Sequence, residues 1–240
     1  MTRQTPETAQ FFLTAPSACP YLLGREERKL FTHITGRRAG SLHQLLSEHG
    51  FRRSQNLVYR PACEGCTACR SVRVVASEFA PNRRFRRIWK RNADLVAKAI
   101  PPEVTREQFE LFVAYLSERH EGGGMTQMSF SDFEFMVEDT PVDTHLVEYR
   151  LGATGPLVAV ALTDRMEDGF SMVYSFFDPD MADRSLGNFM ILDHIDRATQ
   201  AGLAYVYLGY WVEGSSKMEY KAEFAPLQVQ TEHAGWRKLS

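Results

Sequence analysis

From residue 145 onward, apolar and polar positions fall into a regular series of short runs. Residues 145–151, 157–163 and 170–177 each read as a strand, and turn residues at 152–155 and 167–169 separate them. Residues 185–200 then change period and read as an amphipathic helix with Leu186, Phe189, Ile191, Leu192 and Ile195 as its apolar residues. A buried strand over 203–212, a short helix around 217–223 and a last strand over 227–231 complete this half. The first half is less regular. A helix is predicted over 41–50, with Ser41 as N-cap and Gly50 just past the end. A strand over 55–60 is closed by Pro61, residues 63–69 form a loop, and 70–75 alternate with valines on one face. Asn82 caps a helix in which Phe85, Ile88, Trp89, Asn92 and Val96 fall on one side. Ile100-Pro101-Pro102 ends that helix and divides the chain into 1–100 and 101–240. Thr105 and Gln108 form a capping-box pattern opening a helix to about His120, and Gly122-Gly123-Gly124 is a flexible break. Antiparallel strands, helix, strand, helix and strand in that order predict an α+β layer architecture.

The chain has 240 residues, 44% of them apolar and 24% charged, which suffices for a sizeable core. No run approaches the roughly 20 apolar residues of a membrane span. The first twenty residues lack a basic region followed by an apolar one, so no secretory signal is expected. Four cysteines, three of them closely spaced, do not form the framework of a small secreted domain. These features predict a cytoplasmic globular protein with no membrane partner. Charge is unevenly placed. Residues 52–91 hold eleven basic side chains against Glu64 and Glu78 alone, in a chain of net charge −2. A block this basic in an acidic chain points to a polyanionic partner.

The segment Tyr59-Arg60-Pro61-Ala62-Cys63-Glu64-Gly65-Cys66-Thr67-Ala68-Cys69-Arg70-Ser71-Val72-Arg73-Val74 resembles the N-terminal motif of the arginyl/leucyl-tRNA–protein transferases of the N-degron pathway. Cys19-Pro20-Tyr21-Leu22 is similar to that family's first cysteine element. Val173 to Pro179, Ser185-Leu186-Gly187, Leu208-Gly209-Tyr210-Trp211-Val212, Lys217-Met218-Glu219-Tyr220-Lys221 and Phe224-Ala225-Pro226 resemble its later blocks, in order. The length and short connections resemble the bacterial aspartate/glutamate leucyltransferases more than the longer eukaryotic arginyltransferases. The element order is also that of acetyltransferase-like folds. The expected class is therefore α+β, an N-terminal cysteine-containing subdomain followed by an acetyltransferase-like (GNAT-like) mixed sheet with flanking helices. The resemblance implies transfer of leucine from leucyl-tRNA to proteins beginning with Asp or Glu, marking them for degradation. It implies those two partners and no DNA.

Aminoacyl-tRNA is an ester, and attack by an amine gives an amide downhill. An N-terminal amine has a reference pKa of about 7.7–8.0, so positioning and oxyanion stabilisation matter more than a strong base. The chemistry requires no cofactor. Cys63-x2-Cys66-x2-Cys69 with distant Cys19 has the spacing of a zinc or iron–sulfur ligand set; reduced thiols shaping a pocket are the other reading. Arg83, Arg84, Arg87, Lys90 and Arg91 are the candidate tRNA-phosphate contacts, against a solvated helix face. Ser185 and Gly187 open a helix whose free N–H groups suit an anion or oxyanion. Arg184-x-x-Gly187 matches the pyrophosphate loop of acetyl-CoA enzymes, but Phe189 at the last small-residue position is expected to obstruct it. Tyr210 and Lys217, after the strand that floors the site, are the candidate catalytic residues. Arg70, Arg73 and Arg165 are candidates for reading an acidic acceptor residue. Three activities remain in competition: the leucyl transferase or its arginyl-tRNA counterpart, an acetyl-CoA-dependent N-acetyltransferase, and a non-enzymatic RNA-binding module with a cysteine-bound metal.

Overall fold

The structure is a computed structural model, and it describes residues 9–119, 127–231 and 234–239. The expected triple-glycine break at 122–124 lies outside the described residues, as does His120.

The N-terminal part begins with short strands β1 (Phe12–Leu13), β2 (Ser17–Ala18), β3 (Glu26–Glu27) and the longer β4 (Lys29–His33). Helix α1 (Ala39–Glu48) follows, then the hairpin of β5 (Arg52–Ser54) and β6 (Leu57–Pro61). β1, β4, β6 and β5 form a four-stranded sheet over a small core of Ile34, Ala39, Leu46, Phe51 and Val58. Helix α1 starts two residues before Ser41, whose hydroxyl donates to Arg38 O inside the first turn rather than capping it. Gly50, at φ +82°, does end it.

Next come β7 (Cys69–Val75), α2 (Arg83–Arg91) and β8 (Leu95–Ile100). The Asn82 side chain accepts from Phe85 N, as its N-cap position predicts. The expected continuation of this helix through Val96 does not occur. Asn92 closes it, its amide donating to Ile88 O and Arg184 O, and the chain turns into a strand. Val96 is exposed and Leu95 and Ala97 pack inward, so its helical spacing from Asn92 was the alternation of a strand.

The rest comprises α3 (Arg106–Arg119), α4 (Phe130–Glu138), β9 (Thr144–Leu151), β10 (Leu157–Arg165), β11 (Gly169–Phe177), α5 (Leu186–Gln200), β12 (Tyr205–Val212), β13 (Leu227–Thr231) and β14 (Gly235–Lys238). Thr105 and Gln108 form the reciprocal pair of hydrogen bonds expected at the start of α3. Helix α4 has the same kind of box, between Ser129 and Asp132. Eight strands join in the order β14-β13-β7-β12-β11-β10-β9-β8, so the sheet takes strands from both sides of residue 100. Helices α2 and α5 cover one face around Phe85, Phe189, Met190 and Ile195; α3 and α4 cover the other around Phe112, Phe133, Leu162 and Phe176. Burial on both faces explains why β10 reads as a continuous apolar run. The result is the α+β mixed sheet with flanking helices that the element order predicts.

The two parts are tied by a buried ion pair. Arg53, on β5, grips Asp164, on β10, through Nε and Nη2, both at 2.6 Å, and both side chains are fully buried. Thr144 donates to Asp164 at 2.8 Å, and His43 Nε2 stands 3.6 Å away. Asp164→Asn leaves the guanidinium buried without its carboxylate, a loss of about 3–5 kcal/mol. Urea unfolding should show that loss, while Arg165→Ala, on an exposed neighbour, should stay within about 0.5 kcal/mol. Equal midpoints for the two variants would refute the assigned role.

Candidate active site

β11 and β12 run parallel only from Gly169 opposite Tyr205 to Ser171 opposite Tyr207. Just beyond, both strands carry an extra residue. The β10–β11 register skips Val173, and the β12–β7 register skips Leu208. A bulge bends and twists its strand. The two strands therefore part, β11 following β10 and β12 following β7, and a wedge opens between Met172 and Gly209.

Two cations occupy that wedge. Arg52, on β5, donates from Nη2 to Met172 O at 2.8 Å. Its guanidinium lies over Gly209: a Cβ built there would stand 1.9 Å from Nη1, and the backbone at 209 has φ +80°. Glycine is thus required twice over, for space and for conformation. Lys221, in a tight helical turn over Glu219–Glu223, is buried and donates from Nζ to Tyr210 O at 2.7 Å. Burial, aided by the nearby charge of Arg52, lowers its pKa to about 7.

Beside the wedge the four cysteines converge. Cys19, Cys63, Cys66 and Cys69 line a cavity of about 60 Å³ together with Tyr21, Tyr59 and Tyr210. All four are free thiols. Backbone Leu22 N and Arg28 N donate to Cys19 and Cys63, and Arg25 Nη1 to Cys66. Burial, reinforced by the other three sulfurs, pushes the Cys69 thiol up to about 11. Four soft donors suit zinc or an iron–sulfur cluster by chemistry. Among the described residues, no group of three His, Cys, Asp or Glu is arranged to hold an ion. Tyr210 lies within reach of two carbonyls, Tyr59 O at 2.9 Å and Gly50 O at 3.1 Å, and burial raises its pKa. The phenol fastens β12 to the N-terminal part.

The N-terminus of α5 lies at the open end of β11. Ser185 occupies the cap position in the left-handed region (φ +55°), and its side chain makes no capping bond, contrary to expectation. Gly187 faces Phe177, whose ring stands 3.3 Å from where a Cβ would be. Phe189 does not obstruct this helix end. Its ring is buried in the core against Trp89 and Tyr149, centroids 5.5 and 5.8 Å away. What disfavours a pyrophosphate here is Arg184, whose fork is committed to Asp94 at 2.8 and 2.9 Å.

The basic helix α2 abuts this region at two points. Arg84 pairs with Glu223, in the turn that carries Lys221, and Arg91 donates to Asp183 O. Arg83, Arg87 and Lys90 are exposed and have no acidic partner among the described residues. The basic block thus divides: Arg53 and Arg73 are buried, Arg52 is turned inward, and α2 presents a cationic face.

The other sequence candidates are dispersed. Arg73 is buried, donates to Tyr207 Oη and Gln228 Oε1, and stacks on Tyr205 and Trp236. Arg165 is exposed at the closed end of the sheet, beside Phe170. Arg70 lies over Trp211 at 4.7 Å and reaches Glu213. Lys217 is exposed in the turn before Lys221.

Two family models match this chain: "Arginine-tRNA-protein transferase, N terminus" over residues 17–87 and "Arginine-tRNA-protein transferase, C terminus" over 107–231. The chain belongs to the arginine-tRNA-protein transferase family. Among curated relatives, an aspartate/glutamate leucyltransferase of Afipia carboxidovorans is 57% identical over 244 residues, covering 100% of this chain and 96% of the relative. One from Sinorhizobium medicae is 55% identical over 249 residues, with coverages of 100% and 96%. Among solved structures, L-PGS from Bacillus licheniformis is similar at 12% identity and TM-score 0.49, over 87% of this chain and 71% of that one. No helix among the described residues is long and apolar enough to cross a membrane.

Within this transferase family member, sequence reasoning passed over Arg52 and Lys221. Lys221 ends a block already matched to the family, yet it was counted only as part of a short helix. Arg52 was counted only as one charge in a basic block. For Lys221 the folded pKa lies below that of the unfolded chain, so between about pH 7 and 10 the unfolded state binds more protons. Stability should therefore rise with pH across that window, relative to Lys221→Met, by up to about 1 kcal/mol per pH unit. Parallel stability–pH curves for the two proteins would show that the amine is not desolvated.

Proposed function

We propose that this protein is a cytoplasmic enzyme that transfers leucine from leucyl-tRNA to the N-terminal amine of proteins beginning with Asp or Glu, marking them for degradation. The observation that carries this reading is identity of 54–57% along the entire chain with relatives named aspartate/glutamate leucyltransferase. The site supports it chemically. An ester carbonyl and an amine must meet where water is scarce and donors are fixed, and a wedge between parting strands supplies buried donors. An amine with a reference pKa of about 7.7–8.0 is already partly unprotonated near neutrality, so no strong base is needed.

A second reading, arginine as the transferred group, is favoured by the description of the two matching family models. Purified protein offered labelled leucyl-tRNA, arginyl-tRNA or acetyl-CoA, with Asp-, Glu-, Asn- and Lys-initiated peptides, separates the readings. Leucine should pass to the Asp and Glu peptides. Arginine transfer at an equal rate would establish the second reading, and acetyl transfer alone would overturn both.

The exposed face of α2 suits tRNA phosphates. Arg83, Arg87 and Lys90 replaced together by Ala should weaken charged and uncharged tRNA alike, since phosphate contacts do not sense the amino acid. Each lost contact should lower the salt slope by about 0.7–0.9. Filter binding at several salt concentrations measures both, and an unchanged slope would mean that this face is only solvated.

A further inference from the structure

An acidic acceptor residue needs a cation to read it. Arg73 is fully engaged, and Arg165 sits at the wrong end of the sheet. Arg52 is differently placed. It enters the wedge between β11 and β12, with Nη2 on Met172 O and Nη1 buried without a hydrogen-bond partner among the described residues. Lys221 adds a buried amine nearby, and among the described residues its Nζ has one hydrogen bond, to Tyr210 O. No carboxylate pairs with either residue among the described residues. A buried guanidinium N–H left unpaired is costly in the free protein, so a ligand oxygen that accepts from it recovers that energy on binding. A carboxylate matches the guanidinium fork with two oxygens, whereas an Asn or Gln amide offers one oxygen and no charge. Lys221 lies close enough for Arg52 to depress its ammonium form.

Resting on the acyl-transfer reading above, we propose that Arg52 is the specificity-determining residue that binds the side-chain carboxylate of the acceptor's first residue, at the point where β11 and β12 part. The wedge between Met172 and Gly209 then does two tasks: it fixes the acceptor by its side chain and presents the adjacent amine for acylation.

The test uses the full chain with leucyl-tRNA and peptides that differ only in an initial Asp or Asn. Wild-type transfer to the Asp peptide tests the acyl-transfer reading by itself; its absence would sink that reading without touching the variants. For Arg52→Gln, the Asp-over-Asn preference in kcat/KM should fall by about 100-fold, the worth of two charge-assisted hydrogen bonds. The loss should appear mainly in KM for the Asp peptide, with tRNA affinity unchanged. Arg52→Lys keeps the charge without the fork and should lose about tenfold. Thermal melting establishes that each variant is folded, and the lysine variant carries the test if the glutamine variant is not. A folded variant with the wild-type Asp:Asn ratio overturns the proposal, as does an equal loss on both peptides.

Discussion

Arg53 and Asp164 are both withdrawn from water, and each makes the other's burial tolerable. Their pairing is the constraint on which the rest of the molecule depends. It locks hairpin β5–β6 against the large sheet, at the edge where β10 and β9 receive it through Thr144. A planar fork fixes orientation as well as distance. The residue immediately before Arg53 is therefore aimed as well: alternation along β5 sends Arg52 the other way, toward Met172 and Gly209. One buried pair thereby sets the position of a neighbouring cation in the wedge.

The wedge itself follows from two single-residue bulges at the same level of the sheet. Without them β11 and β12 would stay parallel and hydrogen-bonded, and no backbone groups would be free for side chains or ligands. With them, Met172 O accepts from Arg52 and Tyr210 O accepts from the buried Lys221. Every element around the wedge is also held from outside. The Tyr210 phenol holds β12 to Tyr59 and Gly50, Glu223 and Arg84 hold the lysine turn to α2, and Asn92 and Arg91 hold the segment before α5. The cationic face of α2 and the site between the strands thus belong to one connected framework, as a long polyanion bearing a reactive end would require.

The strands and helices of the second half were legible because their signals are local. Turn residues, a change of hydrophobic period and a Thr-x-x-Gln cap specify β9, β10, β11, α3 and α5 without reference to distant contacts. The Ser129-x-x-Asp132 cap of α4 was equally local and was overlooked. β8 was misread because Val96 satisfies both a helical and an alternating spacing. Only pairing with β9 decides between them. The convergence of four cysteines on one cavity was also legible, from spacing and resemblance.

Roles of individual charges were not legible. Eleven basic residues between 52 and 91 look alike in sequence, because charge type carries no information about direction. Pairing and burial sorted them. Arg53 meets a carboxylate 111 residues away, Arg73 is enclosed by Tyr207 and Gln228, and Arg52 fills a space that Gly209 leaves. Phe189 turned inward for the same reason: its ring packs with Trp89 and Tyr149, two rings far apart in the chain. Most elements of the second half, the family and the presence of a cationic surface could be read from the sequence, since these rest on neighbours within a few residues or on motifs read in order. The tertiary structure alone decided which cation is buried, which is exposed and which lacks a partner, because desolvation and hydrogen bonding depend on atoms that only folding brings together.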